Sequence, residues 1–365
     1  MKLLWFSWKD SKNPTAGGAE VMGQELAKRL AADGHEVIFI TSGFPKAEPE
    51  ETVDGYKIIR LGNRFTVYWQ AYRYYKKHLQ GWADLVIDEI NTTPFFAKFY
   101  VKERNIILIY QLCREIWFYE IFFPLSLVGY VLEPLYLWLL SDRSVLTESP
   151  STKNDLLNFG FKKDKISIFN IGINLPAVSR SAVSKFDKPT VLYFGSLRRM
   201  KRPDHVWRAF KIAKKSVPDL QLILAGKTSG YYGRRLLAKV SHSDLRASVR
   251  VVTEISPEDK AELMTKSNLL CVTSVKEGWG LVVTEAAACG TPAVVYNVDG
   301  LRDSVKDGET GLVCQKNNPK EMASKIVEFL ADKDRMDNLA SRGLELSRGL
   351  TLSNSYQQFK RFVGI

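Results

Sequence analysis

The sequence predicts an α/β protein built as two Rossmann-like domains that face each other across a cleft. Three observations carry this expectation. Apolar strand-like runs alternate with helical stretches along both halves of the chain, the pattern of parallel sheets covered by helices. Each half holds a glycine turn that opens a helix, at Gly17-Gly18 and at Gly278-Trp279-Gly280. Finally, 365 residues with 45% hydrophobic and 25% charged content can bury two cores of ordinary size.

In the first half, residues 2–7 read as a strand, followed by a long polar loop to Thr15-Ala16-Gly17-Gly18-Ala19-Glu20. A helix then runs to about Ala32, because Val21, Leu26, Ala27 and Leu30 recur at helical spacing. Asp33-Gly34-His35 closes it, and His35 is read as a structural turn residue. Further strands are expected at 36–41, 56–61, 85–88, 106–110 and 144–147. The Ser- and Lys-rich stretch Ala177 to Lys188 separates this part from a second unit. There, strands are expected at 189–195, 220–225, 249–253, 268–273 and 293–298, with a helix over 204–216 and others between. The expected domains are 1–175 and 176–351, with a C-terminal helix in 352–365 crossing back to the first.

The chain carries a formal net charge of +12, unevenly spread. Residues 1–175 hold 21 Lys and Arg against 20 Asp and Glu, whereas residues 176–365 hold 31 against 20. That excess fits phosphorylated ligands or an anionic membrane surface. A nucleic-acid partner is not expected, since neither zinc-finger spacing nor an RNP-type aromatic motif occurs. Cys113, Cys271, Cys289 and Cys314 show no metal-ligand spacing and lie in apolar runs, so buried reduced thiols in a cytoplasmic protein are expected. The short apolar start reads as a first strand and not as a signal peptide.

Ile116 to Leu140 is almost wholly apolar and aromatic. Glu120, Pro124, Glu133 and Pro134 argue against a spanning helix. A buried helical hairpin and an interfacial surface admitting a lipid-linked substrate both stay open. The aromatic-basic stretch 67–77 suits a headgroup boundary, but an ordinary amphipathic helix packing on the sheet explains it better.

The most informative stretch is Glu277-Gly278-Trp279-Gly280-Leu281-Val282-Val283-Thr284-Glu285. An apolar run leads in and another leads out, so the order is strand, glycine loop, helix, strand. The helix N-terminus there offers free N–H groups and the positive end of its dipole to an anion. Glycines at 278 and 280 let a ligand approach the backbone. One glutamate before the helix and one within it can face a polyhydroxylated ligand beside the bound anion. Phe194-Gly195-Ser196-Leu197-Arg198-Arg199-Met200-Lys201-Arg202 adds four cations just after a strand. Ligands of such sheets bind at the carboxyl ends of strands, where those cations would meet a departing diphosphate. A solvated basic turn is the plain alternative for Arg198 and Arg199. Asn170-Ile171-Gly172-Ile173-Asn174 reads either as a turn lining the cleft or as a simple linker.

Together these residues resemble the retaining glycosyltransferases of family four, which have the two-domain GT-B fold, and the resemblance covers nearly the whole chain. Its most specific element is Glu-x7-Glu, here Glu277 and Glu285. The resemblance implies that Glu277 contacts donor sugar hydroxyls, that Gly278, Trp279, Gly280 and Leu281 contact sugar and phosphate, and that Glu285 holds the ribose. Lys201 matches the lysine that binds the diphosphate, and Gly17 and Gly18 match the N-terminal glycine loop. Ser196 stands where the family has an arginine, so Arg198 or Arg199 is expected to supply that cation. Tyr110-Gln111-Leu112-Cys113-Arg114-Glu115 stands where the family often has a cleft histidine, so no histidine base is assigned; whether Arg114 or Glu115 serves the acceptor side stays open.

The implied reaction moves a hexose from a nucleotide-diphosphate sugar to an acceptor hydroxyl with retention. The acceptor would be a glycan or lipid-linked saccharide, at the inner face of a membrane in the latter case. No metal and no cofactor are implied, and Asp332-Lys333-Asp334 is read as solvated surface. Rival readings are a nucleotide-sugar epimerase of the same fold and a non-catalytic partner subunit. A dehydrogenase is disfavoured because the dinucleotide fingerprint is missing.

Overall fold

The computed structural model describes residues 1–173, 175, 184–228 and 230–365. Asn174 and residues 176–183, the larger part of the expected linker, lie outside the described residues. The chain divides into two compact units, one formed by 1–114, 127–170 and 355–365, the other by 115–126 and 171–354.

The first unit is built on an eight-stranded sheet. Its strands are β1 (Lys2–Phe6), β2 (Glu36–Thr41), β3 (Glu50–Val53), β4 (Tyr56–Arg60), β5 (Leu85–Ile90), β6 (Arg104–Ile109), β7 (Val145–Thr147) and β8 (Ile166–Ile168). They are ordered β3-β4-β2-β1-β5-β6-β7-β8, all parallel except the pairing of β3 with β4. Leu3, Leu4, Trp5 and Phe6 are fully buried, as a strand covered on both faces requires. Because β1 pairs with both β2 and β5, the order reverses beside it. The loop after β1 then enters the helix Gly18–Ala32.

The stretch 67–77 forms the helix Val67–Tyr74 and the π-turn that follows. Val67, Ala71 and Tyr75 sink into the core against β1 and β4, so this segment is an ordinary packed helix. Ile116 to Leu140 is not a buried hairpin. It forms the short helix Trp117–Glu120 and the longer helix Leu125–Leu140, and Phe122 and Phe123 between them and Leu125 at the start of the second are exposed. Among the described residues no helix is long and apolar enough to cross a membrane.

The second unit holds β9 (Thr190–Phe194), β10 (Gln221–Ala225), β11 (Val249–Val252), β12 (Leu269–Val272), β13 (Ala293–Tyr296) and β14 (Gly311–Cys314). All pairings are parallel, in the order β11-β10-β9-β12-β13-β14. Counted from β9 as the first, that is 3-2-1-4-5-6, the doubly wound order with its switch point between β9 and β12. Two apolar layers cover the faces, one around Trp207, Phe210 and Phe329, the other around Met264, Val283 and Leu301.

All four cysteines are free and buried. Asp332 is the N-cap of the helix Lys333–Ser347, its carboxylate accepting from the Arg335 N–H at 2.9 Å, which explains that acidic pair structurally.

Candidate donor site in the second unit

The switch point sets the position of the site. A chain leaving β9 passes through Gly195 and the turn Arg199–Lys201 into the helix Pro203–Ala213, while β12 leads through Thr273–Gly280 into the helix Leu281–Ala288. Because β9 and β12 are neighbours, their loops emerge side by side. They are stitched together by the Val275 N–H donating to the Met200 carbonyl at 2.8 Å. The Thr273 hydroxyl also donates to the carbonyls of Lys201, at 3.1 Å, and Arg202, at 2.8 Å.

That stitching delivers a cation to a carboxylate. Lys201 Nζ lies 2.5 Å from Glu277 Oε1, which also accepts from the Ser274 hydroxyl at 2.5 Å. The Glu277 loop is held from the far side by β13's exit, where the Glu277 N–H donates to the Asp299 carbonyl at 3.2 Å. Lys276 and Arg302 both pair with the Asp299 carboxylate. Gly300 is essential to this approach. Its φ is +75°, and a Cβ there would sit 2.4 Å from the Glu277 carbonyl oxygen.

Gly280 caps the helix Leu281–Ala288 in the left-handed region, φ +85°; the Val283 N–H bonds back to the Gly280 carbonyl at 2.8 Å, and those of Leu281 and Val282 have no intrahelical partner. Beside it, the Trp279 indole N–H is buried with no hydrogen-bond partner among the described residues. A buried unpaired donor is costly unless something accepts from it. Further along the helix, Glu285 is buried and paired with Lys260 Nζ at 2.5 Å, and Lys260 lies over the Phe194 ring at 5.2 Å. Burial pushes the Glu285 carboxyl up, and Lys260 pulls it back.

The structure thus brings Glu277, Gly278, Trp279, Gly280, Leu281 and Lys201 together, with Glu285 one turn further along the same helix. Arg198 and Arg199 go elsewhere. Arg198 lies 3.9 Å from Glu120, and Arg199 lies over the Tyr119 ring at 5.9 Å. Arg202 donates to the Tyr119 hydroxyl at 2.7 Å. Residues 115–126 belong to this unit, and their contact with the basic turn had no signal in the sequence. Lys260 was also missed: the Ser256 capping box marks its helix, but nothing local shows that the lysine reaches Glu285.

Gly17 and Gly18 lie in the first unit, at its own switch point. The Gly17 N–H donates to Glu20 at 2.7 Å, so an internal carboxylate occupies part of this loop. Asn91, just after β5, bridges Glu20 at 3.4 Å and Glu89 at 3.1 Å. Glu89 is fully buried, accepting from Trp5 Nε1 at 2.7 Å and from Ser7 at 3.2 Å. Burial, and then the Glu20 charge, push it up to about 8. Folding therefore favours the protonated carboxyl, so stability is greatest below its unfolded value near 4.5 and is lost as pH rises towards 8. Across this window Glu89→Gln should lose less stability in urea unfolding than the wild type, by the equivalent of roughly 4 kcal/mol, while the contribution of buried Asp88, pushed up to about 6, is common to both. Parallel slopes in the two proteins would refute the protonated state. Tyr110 lies near this cluster with its hydroxyl buried and without a hydrogen-bond partner among the described residues. His35 sits in the turn before β2, as expected of a structural residue.

A doubly wound pair of domains with a cation, a carboxylate and a helix N-terminus at the second switch point defines a class that binds phosphorylated ligands. Comparison with known proteins makes the class specific. Residues 16–176 match the model for Glycosyltransferase Family 4, and residues 177–345 match that for Glycosyl transferases group 1. The chain belongs to the glycosyltransferases of this family-four type, with the GT-B fold. It is 25% identical to N-acetyl-alpha-D-glucosaminyl L-malate synthase of Bacillus anthracis, over 95% of this chain and 91% of that one. It is 28% identical to D-inositol 3-phosphate glycosyltransferase of Rhodococcus opacus over 55% of this chain, an alignment that spans about half (48%) of that relative. Among solved structures, sucrose-phosphate synthase of Thermosynechococcus elongatus superposes with a TM-score of 0.81 at 21% identity, covering 100% of this chain and 98% of the other. HepE of Anabaena in complex with UDP-glucose gives 0.75 at 17% identity, with 100% and 99% covered.

Proposed function

We propose that this protein transfers a hexose from a nucleoside-diphosphate sugar to an acceptor hydroxyl with retention at the anomeric carbon, without a metal ion or cofactor. The donor is held by the second unit and the acceptor side is supplied by the first. The observation that carries the reading is the Lys201–Glu277 pair set beside the free end of the helix Leu281–Ala288 and the unpartnered Trp279 N–H.

In this reading the donor diphosphate takes Lys201 from Glu277 and accepts from the N–H groups of Gly280 and Leu281. Glu277, released, accepts from sugar hydroxyls. Glu285 accepts from the ribose hydroxyls, which replace Lys260. Arg198 and Arg199 extend the positive field along the approach. As the bond from the anomeric carbon to the diphosphate oxygen breaks, its electron pair stays on the phosphate. The acceptor hydroxyl attacks from the same face and passes its proton to that phosphate oxygen. The chain contributes position and fixed charge, the two largest sources of rate enhancement for such a step. Lys201 and the helix dipole supply the charge that a metal would otherwise bring.

The test is incubation with a panel of nucleoside-diphosphate sugars, UDP-glucose first, and saccharide acceptors with free or lipid-linked reducing ends. Transfer is expected to give the same anomeric configuration in donor and product by NMR, and to persist in EDTA. Glu277→Ala should lower kcat/KM by about 100-fold. Isomerisation of the donor without transfer would establish the epimerase alternative. Turnover in Glu277→Ala equal to wild type would remove that residue from the site.

A further inference from the structure

The helix Leu125–Leu140 carries one feature that transfer chemistry does not use. Within the first unit its residues Leu127, Val128, Val131, Leu132, Leu135 and Trp138 form a single stripe at helical spacing, each between 44% and 62% exposed. The opposite side, with Glu133, Tyr136, Leu137 and Leu140, is buried. Glu133 is the one ionisable carboxylate of the helix, and it is turned inward to accept the N–H groups of Cys113 at 2.7 Å and Arg114 at 2.6 Å. The exposed stripe therefore holds no charge at all. Soluble monomers rarely expose so continuous an apolar surface without a use for it.

The rim of the stripe carries more basic than acidic groups, with Lys98, Arg143, Lys162 and Lys163 against Asp142 and Asp164. At the C-terminal end of the helix, Lys98 donates to the Leu139 carbonyl at 2.5 Å and pairs with Asp142, which Arg143 also approaches at 3.6 Å. Gly160 packs against Trp138, a Cβ there lying 3.5 Å from the Trp138 ring. The exposed Lys162 and Lys163 follow two and three residues later. The helix, which has Pro134 within it, is too short to span a bilayer. An uncharged stripe ending in a tryptophan and edged by lysines is the composition of a helix lying in the plane of an anionic lipid surface. A second copy of the chain fits less well, because Lys98, Arg143, Lys162 and Lys163 outnumber Asp142 and Asp164 at the rim, so two copies face to face would set like net charge against like.

We propose that the exposed face of residues 127–140 docks this protein on an anionic bilayer, with Trp138 at the headgroup boundary and Lys162 and Lys163 on lipid phosphates. The proposal deepens the acceptor side of the function proposed above, since it would bring a lipid-linked hydroxyl to the enzyme, but its geometry is independent of the donor site.

Flotation of the full chain with vesicles tests it. The wild type should float with equal parts phosphatidylglycerol and phosphatidylcholine, less with phosphatidylcholine alone, and less as salt rises. Val131→Glu/Leu135→Glu, two exposed changes, should lower the bound fraction about tenfold with an unchanged melting curve. Lys162→Ala/Lys163→Ala should remove the preference for anionic vesicles. Vesicles should shift the tryptophan emission to the blue in the wild type and much less in Trp138→Phe. The proposal is overturned if the wild type fails to float, or if Val131→Glu/Leu135→Glu floats equally well. It is also overturned if that variant instead converts a wild-type dimer to monomer in sedimentation, which would make the stripe an interface between copies. Thermal shift with UDP on the same proteins separates the two readings. Flotation without nucleotide binding would leave docking standing and the transferase assignment fallen.

Discussion

Lys201→Ala is expected to lower kcat by about 1,000-fold, with a smaller change in donor KM. The reason is charge at a position that nothing else fills. Lys201 is carried to Glu277 by the turn after β9 and held there by the Thr273 hydroxyl on its own carbonyl. Arg198 and Arg199, the nearest other cations in sequence, are directed to Glu120 and Tyr119. When the bond to the sugar breaks, negative charge grows on the diphosphate, and a fixed cation in a partly dry site is worth most at that moment. Its loss also leaves Glu277 with Ser274 as its remaining side-chain partner and no counter-charge beside the leaving group. Lys201→Arg should restore part of the rate, since charge returns with the wrong reach. Steady-state kinetics against donor concentration read both; a kcat within a few-fold of wild type in Lys201→Ala would deny it the leaving-group role.

Gly300→Ala is expected to disable the protein from outside the site. A left-handed φ costs an alanine about 1 kcal/mol by itself. Gly308 provides that baseline, because its φ is +74° and nothing lies within 4 Å of a Cβ there. At Gly300 the φ is nearly the same, +75°, but ψ is −46°, outside the left-handed helical region, and a Cβ meets the backbone of Glu277 and Gly278. Backbone cannot rotate away as a side-chain tip can, so the Glu277 loop must move. Gly300→Ala should therefore cost roughly 3 kcal/mol or more in urea unfolding, against about 1 for Gly308→Ala. Its activity should fall by about 100-fold even where it remains folded, because an ångström of displacement at a positioning carboxylate is expensive. Equal stability for the two variants would mean that the loop yields more easily than its packing suggests.

The alternation of strand and helix was legible because buried parallel strands are short apolar runs with turn residues at each end. β2 and the C-terminal helix Leu352–Val363 fall where their patterns place them. β3, β8 and β14 were missed for a common reason. Each has three or four residues, and β3, an antiparallel edge strand, carries two glutamates and exposes alternate positions. Such segments are strands because a neighbour pairs with them, which no local pattern records. The same limit applies at the site. The glycines, Glu277, Glu285 and Lys201 were legible because strand ends and helix starts dictate where they emerge. Lys260 on Glu285 and Tyr119 beneath the arginines are meetings of residues 25 and 83 positions apart. The apolar run from Ile116 was visible, but whether its helix buries or exposes that surface depended on which side Glu133 faced.

The central claim is that a nucleoside diphosphate binds at the switch point between β9 and β12, on Lys201, the Leu281 helix end and Glu285. Calorimetric titration with UDP tests it most directly, comparing wild type, Lys201→Ala, Glu285→Ala and the distant basic control Lys239→Ala. The expected result is one site per chain in the wild type and in Lys239→Ala, with affinity about tenfold lower or worse in each of the other two. Equal affinity in all four proteins, or loss in Lys239→Ala alone, would contradict it.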